Sequence, residues 1–377
     1  MTHTPIVTLG RPEAEVRRVM AICNACRYCE GFCAVFPAME RRLDFLHGDI
    51  HFLANLCHNC GACFHSCQYA PPHAFAVNVP KALAEVRAVT YEAYAWPASL
   101  GALYRHQGVW LAIALAAGLA FFLLLAMQLN GGILVRPGER GSFYAVIPHA
   151  AMAAPFLAAS IWILCAFGVG VTRFWRGLPA KSHRVSLSAA VADAAQSALT
   201  LRNLDGGGAG CNDQSDAPSP WRRRFHHATF YGFMLCFAST CIATWYHYGL
   251  KLSAPYPLTS VPVLLGSVGG AGLLAGTGGL LWLHSQRHSS VRDRTQRAMD
   301  VGFMVLLFAT SLTGLALLVF RDSAAMPLLL AVHLGVVAAF FITLPYGKFA
   351  HAVYRVAALL KDAIEKRQPN TIVVKLD

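Results

Sequence analysis

Cys23, Cys26, Cys29 and Cys33 spell C-x2-C-x2-C-x3-C, and Cys57, Cys60, Cys63 and Cys67 repeat the pattern. Three thiolates within seven residues let one tight loop wrap three corners of a cubane cluster while a fourth cysteine reaches in from elsewhere. Structural zinc sites divide their ligands into two separated pairs, a form that neither half of this array has. The spacing therefore predicts two [4Fe-4S] clusters rather than zinc or disulfides. By the exchange of fourth ligands usual in two-cluster domains, Cys23, Cys26, Cys29 and Cys67 would hold one cluster, and Cys57, Cys60, Cys63 and Cys33 the other.

Histidines form a second set of candidate ligands. No C-x-x-C-H occurs, which excludes covalently attached c-type haem, whereas b-type haem needs only axial side chains. His333 and His351 are eighteen residues apart, five turns at 3.6 residues per turn, and would share one face of an unbroken helix with about 27 Å between them. Pro345 lies between them and predicts a kink. On the inner side His226 or His227 would pair with His351, and on the outer side His149 or His247 with His333, giving one or two haems. Interfacial histidines also collect at headgroup level for ordinary reasons, His247 within WYHY above all.

These ligands need a membrane scaffold. The 377-residue chain is 56% hydrophobic and 13% charged, too apolar for an ordinary soluble globule. Six stretches are long enough to cross about 30 Å of hydrocarbon: approximately 108–129, 146–171, 227–249, 258–283, 299–320 and 326–346. Lys and Arg accumulate on the cytoplasmic side of spans. With the N-terminus inside, Arg173, Arg176, Lys181, Arg184, Arg202 and Arg222–Arg224 lie within, as do Arg287, Arg292, Arg294, Arg297 and the basic C-terminus. Only Arg136, Arg140, Lys251 and Arg321 lie outside. The net charge of +12 thus reads as topology rather than nucleic-acid binding.

The expected fold is all-α: an α-helical ferredoxin-like two-cluster domain (1–100), then a polytopic bundle of six transmembrane helices. Spans one and two fill 101–171, and spans three to six, with the haem region, fill 226–351. A cytoplasmic loop (172–225) holds an interfacial helix and a Gly-rich linker, and 352–377 is a cytoplasmic tail. Pro12 before EAEVRRVMAI predicts a helix starting there, and AVFPAMERRLDFLHGDIHFLANL reads as helical with interruptions at Pro37 and Gly48. DGGGAGCNDQSDAPSP reads as a flexible linker; the alternative is that its amides hold an anion or that Cys211 touches a cofactor. Cys165, Cys236 and Cys241 read as small buried apolar residues within spans. Gly270, Gly272 and Ala275 satisfy G-x-G-x-x-A but lie inside an apolar span, so Gly266/Gly270 and Gly272/Gly276 are assigned to helix packing.

The two cysteine loops, with RRFHHATFYGFMLCFASTCIATWYHY, APYPL and HLGVVAAFFITLPYGKFAHAVYR, resemble the citrate-utilization protein B family, also called tricarballylate-utilization protein B. More distantly, the string from His333 to His351 is similar to the last haem helix of the membrane subunit of respiratory nitrate reductase. The resemblance implies a carrier in the bacterial cytoplasmic membrane, cluster domain and C-terminus cytoplasmic. It would reoxidise a soluble FAD-dependent tricarballylate dehydrogenase and deliver electrons to membrane quinone. Two departures stand out: Ala34 and Gln68 replace the proline usual after the fourth cysteine, and Phe237 occupies the place of a second histidine ten residues beyond His227. No paired carboxylates, activated nucleophile or nucleotide loop appears in the cytoplasmic part, so organic-acid chemistry is expected on the partner. The rival reading is a component of tricarboxylate uptake with redox-sensing clusters, against which the spans keep their charges at their ends.

Overall fold

The computed structural model describes residues 9–134, 142–179 and 185–369; Arg136, Arg140, Lys181 and Arg184 of the charge pattern lie outside these. Among the described residues there is no strand, only an isolated bridge between Cys211 and Ser219. The N-terminal domain comprises α1 (Arg11–Cys26), α2 (Val35–Glu40), α3 (His47–Leu56), α4 (Ala62–His65) and α5 (Val79–Tyr94). Pro12 sits in the first turn of α1, where its missing N–H costs nothing, and the Glu13 carboxylate accepts from the Gly10 N–H at 2.7 Å. Asn78 caps α5 through the Lys81 N–H. The interruption expected at Pro37 and Gly48 falls instead between α2 and α3. Pro37 lies in the first turn of α2, where a proline is tolerated, and Gly48 permits contact with a later helix: a Cβ there would stand 2.2 Å from the Gly177 carbonyl.

Among the described residues, six helices are long and apolar enough to cross a membrane: α6 (Gln107–Leu129), α8 (His149–Gly177), α10 (Trp221–Tyr248), α11 (Val261–Gln286), α12 (Arg294–Val319, membrane-length from Gln296) and α13 (Met326–Thr343, continued by a 3-10 turn to Tyr346). The short α7 (Phe143–Val146) precedes α8. Glycines set the closest approach in the bundle: a Cβ on Gly232 of α10 would lie 2.8 Å from the Gly269 carbonyl of α11, and one on Gly269 equally close to Gly232. This is the small-residue packing expected of membrane helices. Cys165 and Cys241, expected to be buried, face outward from the bundle.

α9 (Leu187–Leu199) and α14 (Ala350–Glu365) complete the chain. The stretch after residue 351, expected as a tail, is mostly buried helix. Ala357, Ala358 and Ala363 of α14 and Ala190 and Ala194 of α9 join the same core as Val16, Met20 and Leu53. Buried ion pairs fasten this helix to the cysteine domain: Arg41 to Asp362 at 2.5 Å and Arg42 to Glu365 at 2.9 Å. The kink expected at Pro345 is a full break: the helix that carries His333 is divided from the one that carries His351 at Leu344–Tyr346. The carbonyls freed there have partners, since Tyr104 Oη donates to Pro345 O (2.7 Å) and Gln107 Nε2 to Tyr346 O (2.6 Å). Satisfied carbonyls make the break a fixed feature.

Candidate metal centres

The eight motif cysteines converge on two adjacent cavities. One is lined by Cys23, Cys26, Cys29 and Cys67, the other by Cys33, Cys57 and Cys60, with Cys63 on the wall they share. The fourth cysteine of each loop therefore lines the other loop's cavity. α1 ends in the first cavity because Arg27 takes a left-handed conformation (φ 57°) after Cys26. α4 starts in the second because Gly61 does the same at φ +87°, a conformation that costs glycine little.

Thiols so crowded resist ionisation. Burial first, then the neighbouring thiols, push Cys23 and Cys29 up to about 12. Cys33 and Cys63 are driven well above their ordinary value for the same reasons. A buried group of mutually repelling sulfurs is stable as thiolates only around positive charge, which is the donor set that soft iron–sulfur centres use. Cys60 departs from this pattern, lowered to about 7, first because the Cys211 thiol hydrogen-bonds to it.

That contact overturns the reading of 204–220 as a flexible linker. Cys211 is 1% exposed, its N–H and carbonyl both bond Ser219 at 2.9 Å, and the Asn212 N–H donates to Cys60 O at 3.1 Å. Gly206, Gly207, Gly208 and Gly210 all have positive φ, so the glycines fold the segment into one shape rather than loosen it. The second cavity thus lies under a strap supplied by the connection between spans.

Three guanidinium groups donate to carbonyls of the second cysteine loop, and sequence inspection singled out none of them for this site. Arg87 Nη1 and Arg355 Nη2 donate to the Cys57 carbonyl at 2.5 and 2.6 Å, and Arg287 Nη2 to Asn59 O at 2.7 Å. Burial first, then Arg87, lowers Arg355 to about 10; burial first, then Arg222, lowers Arg287 to about 10. Both remain cations at neutral pH. They come from α5, α14 and the loop after α11, so no local sequence signal joins them to Cys57.

The inner histidines meet beside this loop. His226 and His351 stand with ring centres 6.3 Å apart and planes at 78°. The His351 Nδ1–H donates to Lys348 O at 2.5 Å, which leaves Nε2 free as a ligand. His226 Nδ1 is buried without a partner. His227 turns away: its Nε2 lies 3.1 Å from Thr200 O and its ring against Tyr231. His58, which lines the second cavity, is kept neutral by burial first and then by the charges of Arg355 and His226.

The outer histidines are arranged otherwise than the sequence reading expects. His149 and His247 stack on each other with ring centres 3.7 Å apart, flanked by Tyr144 and Tyr248. His333 lies instead against α12, with Nδ1 3.0 Å from Thr313 Oγ1 and its ring against Gly314. The cause is rotational: the side of α13 that carries His333 packs on α12.

Residues 16–93 match the family model described as the Fer4-like domain of citrate utilization protein B, and residues 104–371 match the model of citrate utilization protein B. A curated relative, citrate utilization protein B of Escherichia coli, is 58% identical over 361 residues, covering 96% of this chain and 94% of the relative. No solved structure matches the chain.

Proposed function

The chain belongs to the citrate utilization protein B family, with an iron–sulfur ferredoxin-like domain joined to six membrane-length helices, and on that footing we propose that it is a membrane electron carrier. It takes electrons from the reduced flavin of an FAD-dependent dehydrogenase acting on tricarballylate or a related tricarboxylate. It passes them through two [4Fe-4S] clusters and a b-type haem to quinone. Cys23, Cys26, Cys29 and Cys67 hold the first cluster, and Cys33, Cys57, Cys60 and Cys63 the second. The cluster domain and C-terminus face the cytoplasm of a bacterial cell.

The observation that carries the reading is the continuity from the second cavity to the inner histidines. Cys57 sits beside His58, His58 beside His226, and His226 across from His351. His226 and His351, with ring centres 6.3 Å apart, are the pair that would hold the haem. His351, whose Nδ1–H donates to Lys348 O, would offer Nε2, and His226 would be the second residue to hold the group. Clusters and haem supply one-electron chemistry when bound. The protein's own part is ligation, separation and the local field. The outer histidines do not converge in this way, so His333, His149 and His247 enter as a separate test.

The test is anaerobic purification from membranes with iron, sulfide and haem counted per chain. About eight iron atoms outside haem and a dithionite-reducible b-type α band are expected. Reduction of both clusters by a flavin hydroquinone should precede bleaching of that band on adding quinone. Iron below about half of that number, or the absence of an α band, would overturn the corresponding part of the relay. Tricarboxylate uptake by vesicles carrying the purified protein alone, with no electron donor, would favour the uptake reading instead.

A further inference from the structure

Away from the cysteine cavities, Glu13, His47 and His51 direct three donor atoms to one point. Glu13 Oε1 lies 2.8 Å from His51 Nε2 and 3.1 Å from His47 Nε2. The two histidines are at i and i+4 on α3, spaced so that their rings lie on one face, with ring centres 4.1 Å apart. Glu13 comes from the first turn of α1, and its other oxygen is held by the Gly10 N–H at 2.7 Å. The carboxylate is thereby fixed with one oxygen free.

We propose that Glu13, His47 and His51 form a binding site for a divalent first-row transition metal such as zinc, separate from the iron–sulfur ligands. Around an ion bound at roughly 2.0–2.2 Å, neighbouring ligand atoms stand about 2.9–3.5 Å apart, close to the separations seen. Two imidazoles and one carboxylate are a common zinc set, in which a water completes the coordination. His51 Nδ1 lies 3.2 Å from Tyr94 Oη, an outer partner that fixes the ring and leaves Nε2 for the metal. His51 and Glu13 are buried, while the His47 side chain is 36% exposed, which provides an entry path and room for water.

A metal here would tie α1 to α3 within the cysteine domain, beside the place where α3 abuts the end of α8 at Gly177. Without a metal, the same residues make a carboxylate accepting two N–H bonds, and metal retention separates the two cases. Holoprotein is incubated with zinc, gel-filtered and assayed for zinc and iron, with X-ray absorption at the zinc edge. The expected result is about one zinc per chain bound by nitrogen and oxygen only, lost in His47→Gln at unchanged iron content. Tyr94→Phe, which keeps all three donors, should weaken retention about tenfold. No retained zinc, equal retention by wild type and both variants, or sulfur scattering around the zinc would overturn the site. Should His47→Gln also lose iron, the Tyr94→Phe retention and the wild-type edge spectrum decide.

Discussion

At the first cysteine site Cys26 is exposed and Tyr28 stands 69% exposed beside it; at the second, Cys57 is 7% exposed, a strap covers Cys60, and guanidinium groups hold the loop's carbonyls. The same ligand spacing has been placed in two unlike environments. Cluster potential responds to net charge, hydrogen bonds to sulfur and solvent exposure. Burial alone favours the less charged, oxidised cluster and would make the inner site the poorer acceptor. A unit positive charge roughly 8 Å away opposes that by about 2 kcal/mol at an effective dielectric near 20, or roughly 90 mV for one electron. Arg87, Arg287 and Arg355, held on the carbonyls of the inner loop, all act in that direction. If the charge effect prevails, the electron path proposed above would enter at the exposed site and leave by the buried one.

The largest effect should come from removing one ligand at each site. Cys57→Ser is expected to abolish the inner cluster and, because the inner loop is part of the main core, to take total iron below half and lower the thermal midpoint by several degrees. Cys26→Ser should spare the inner cluster and leave the midpoint near that of the wild type. Iron analysis, EPR and thermal unfolding measure this, and equal losses in the two variants would erase the contrast between the sites.

A contrast between neighbouring histidines comes next. His226→Ala and His351→Ala should each eliminate the b-type α band while leaving both cluster EPR signals, whereas His227→Ala should keep it. His333→Ala removes part of the haem signal only if a second haem uses that ring. Loss of the band in His227→Ala would mean that α10 is rotated by about 100° from the arrangement described.

Replacing Arg355 by Gln should lower the inner cluster's midpoint potential by roughly 50–100 mV and leave the outer one within about 10 mV. A redox titration followed by EPR resolves both. A shift of equal size at the two clusters would show that the guanidinium sets a general field rather than the difference between sites.

How far the sequence foretells these features depends on the range of the signal. The cysteine loops and six spans are local patterns, so their nature was legible and only the ends moved. His226 and His227 are adjacent, and choosing between them requires the rotation of α10, which packing on α11 decides through Gly232 and Gly269. Pro345 announces a kink between His333 and His351, but not that the chain breaks at Leu344–Tyr346, where Tyr104 and Gln107, over two hundred residues earlier, satisfy the opened carbonyls. Glycine-rich composition suggested flexibility in 204–220, but positive φ at Gly206–Gly208 and Gly210 builds one docked shape. The role of Arg355 was hidden by nearly three hundred residues separating it from Cys57.

The smallest expected effect tests what holds the strap over the inner site. Asp193 on α9 accepts from Arg202 at 2.8 Å and from Arg367, just beyond α14, at 3.2 Å, which fixes the helix that leads into the strap. Burial raises its carboxyl, but the two guanidinium groups together outweigh this and hold it below the ordinary carboxylate value. A carboxyl depressed in the folded state contributes stability that is present above its unfolded pKa, about 3.9, and is lost as pH falls through the lower folded value. Asp193→Asn should therefore lower stability by about 1 kcal/mol, the scale of a partly exposed ion-pair network. That deficit should stay constant from about pH 7 to 5 and shrink below about pH 4, where the wild type also becomes protonated. Thermal unfolding across that range measures it. Because Asn212 joins the strap to Cys60, the variant should also speed loss of the inner cluster to chelator while the outer cluster's rate stays unchanged. Faster loss from the outer site alone would mean that α9 and the strap protect the wrong cluster for the direction of flow argued above.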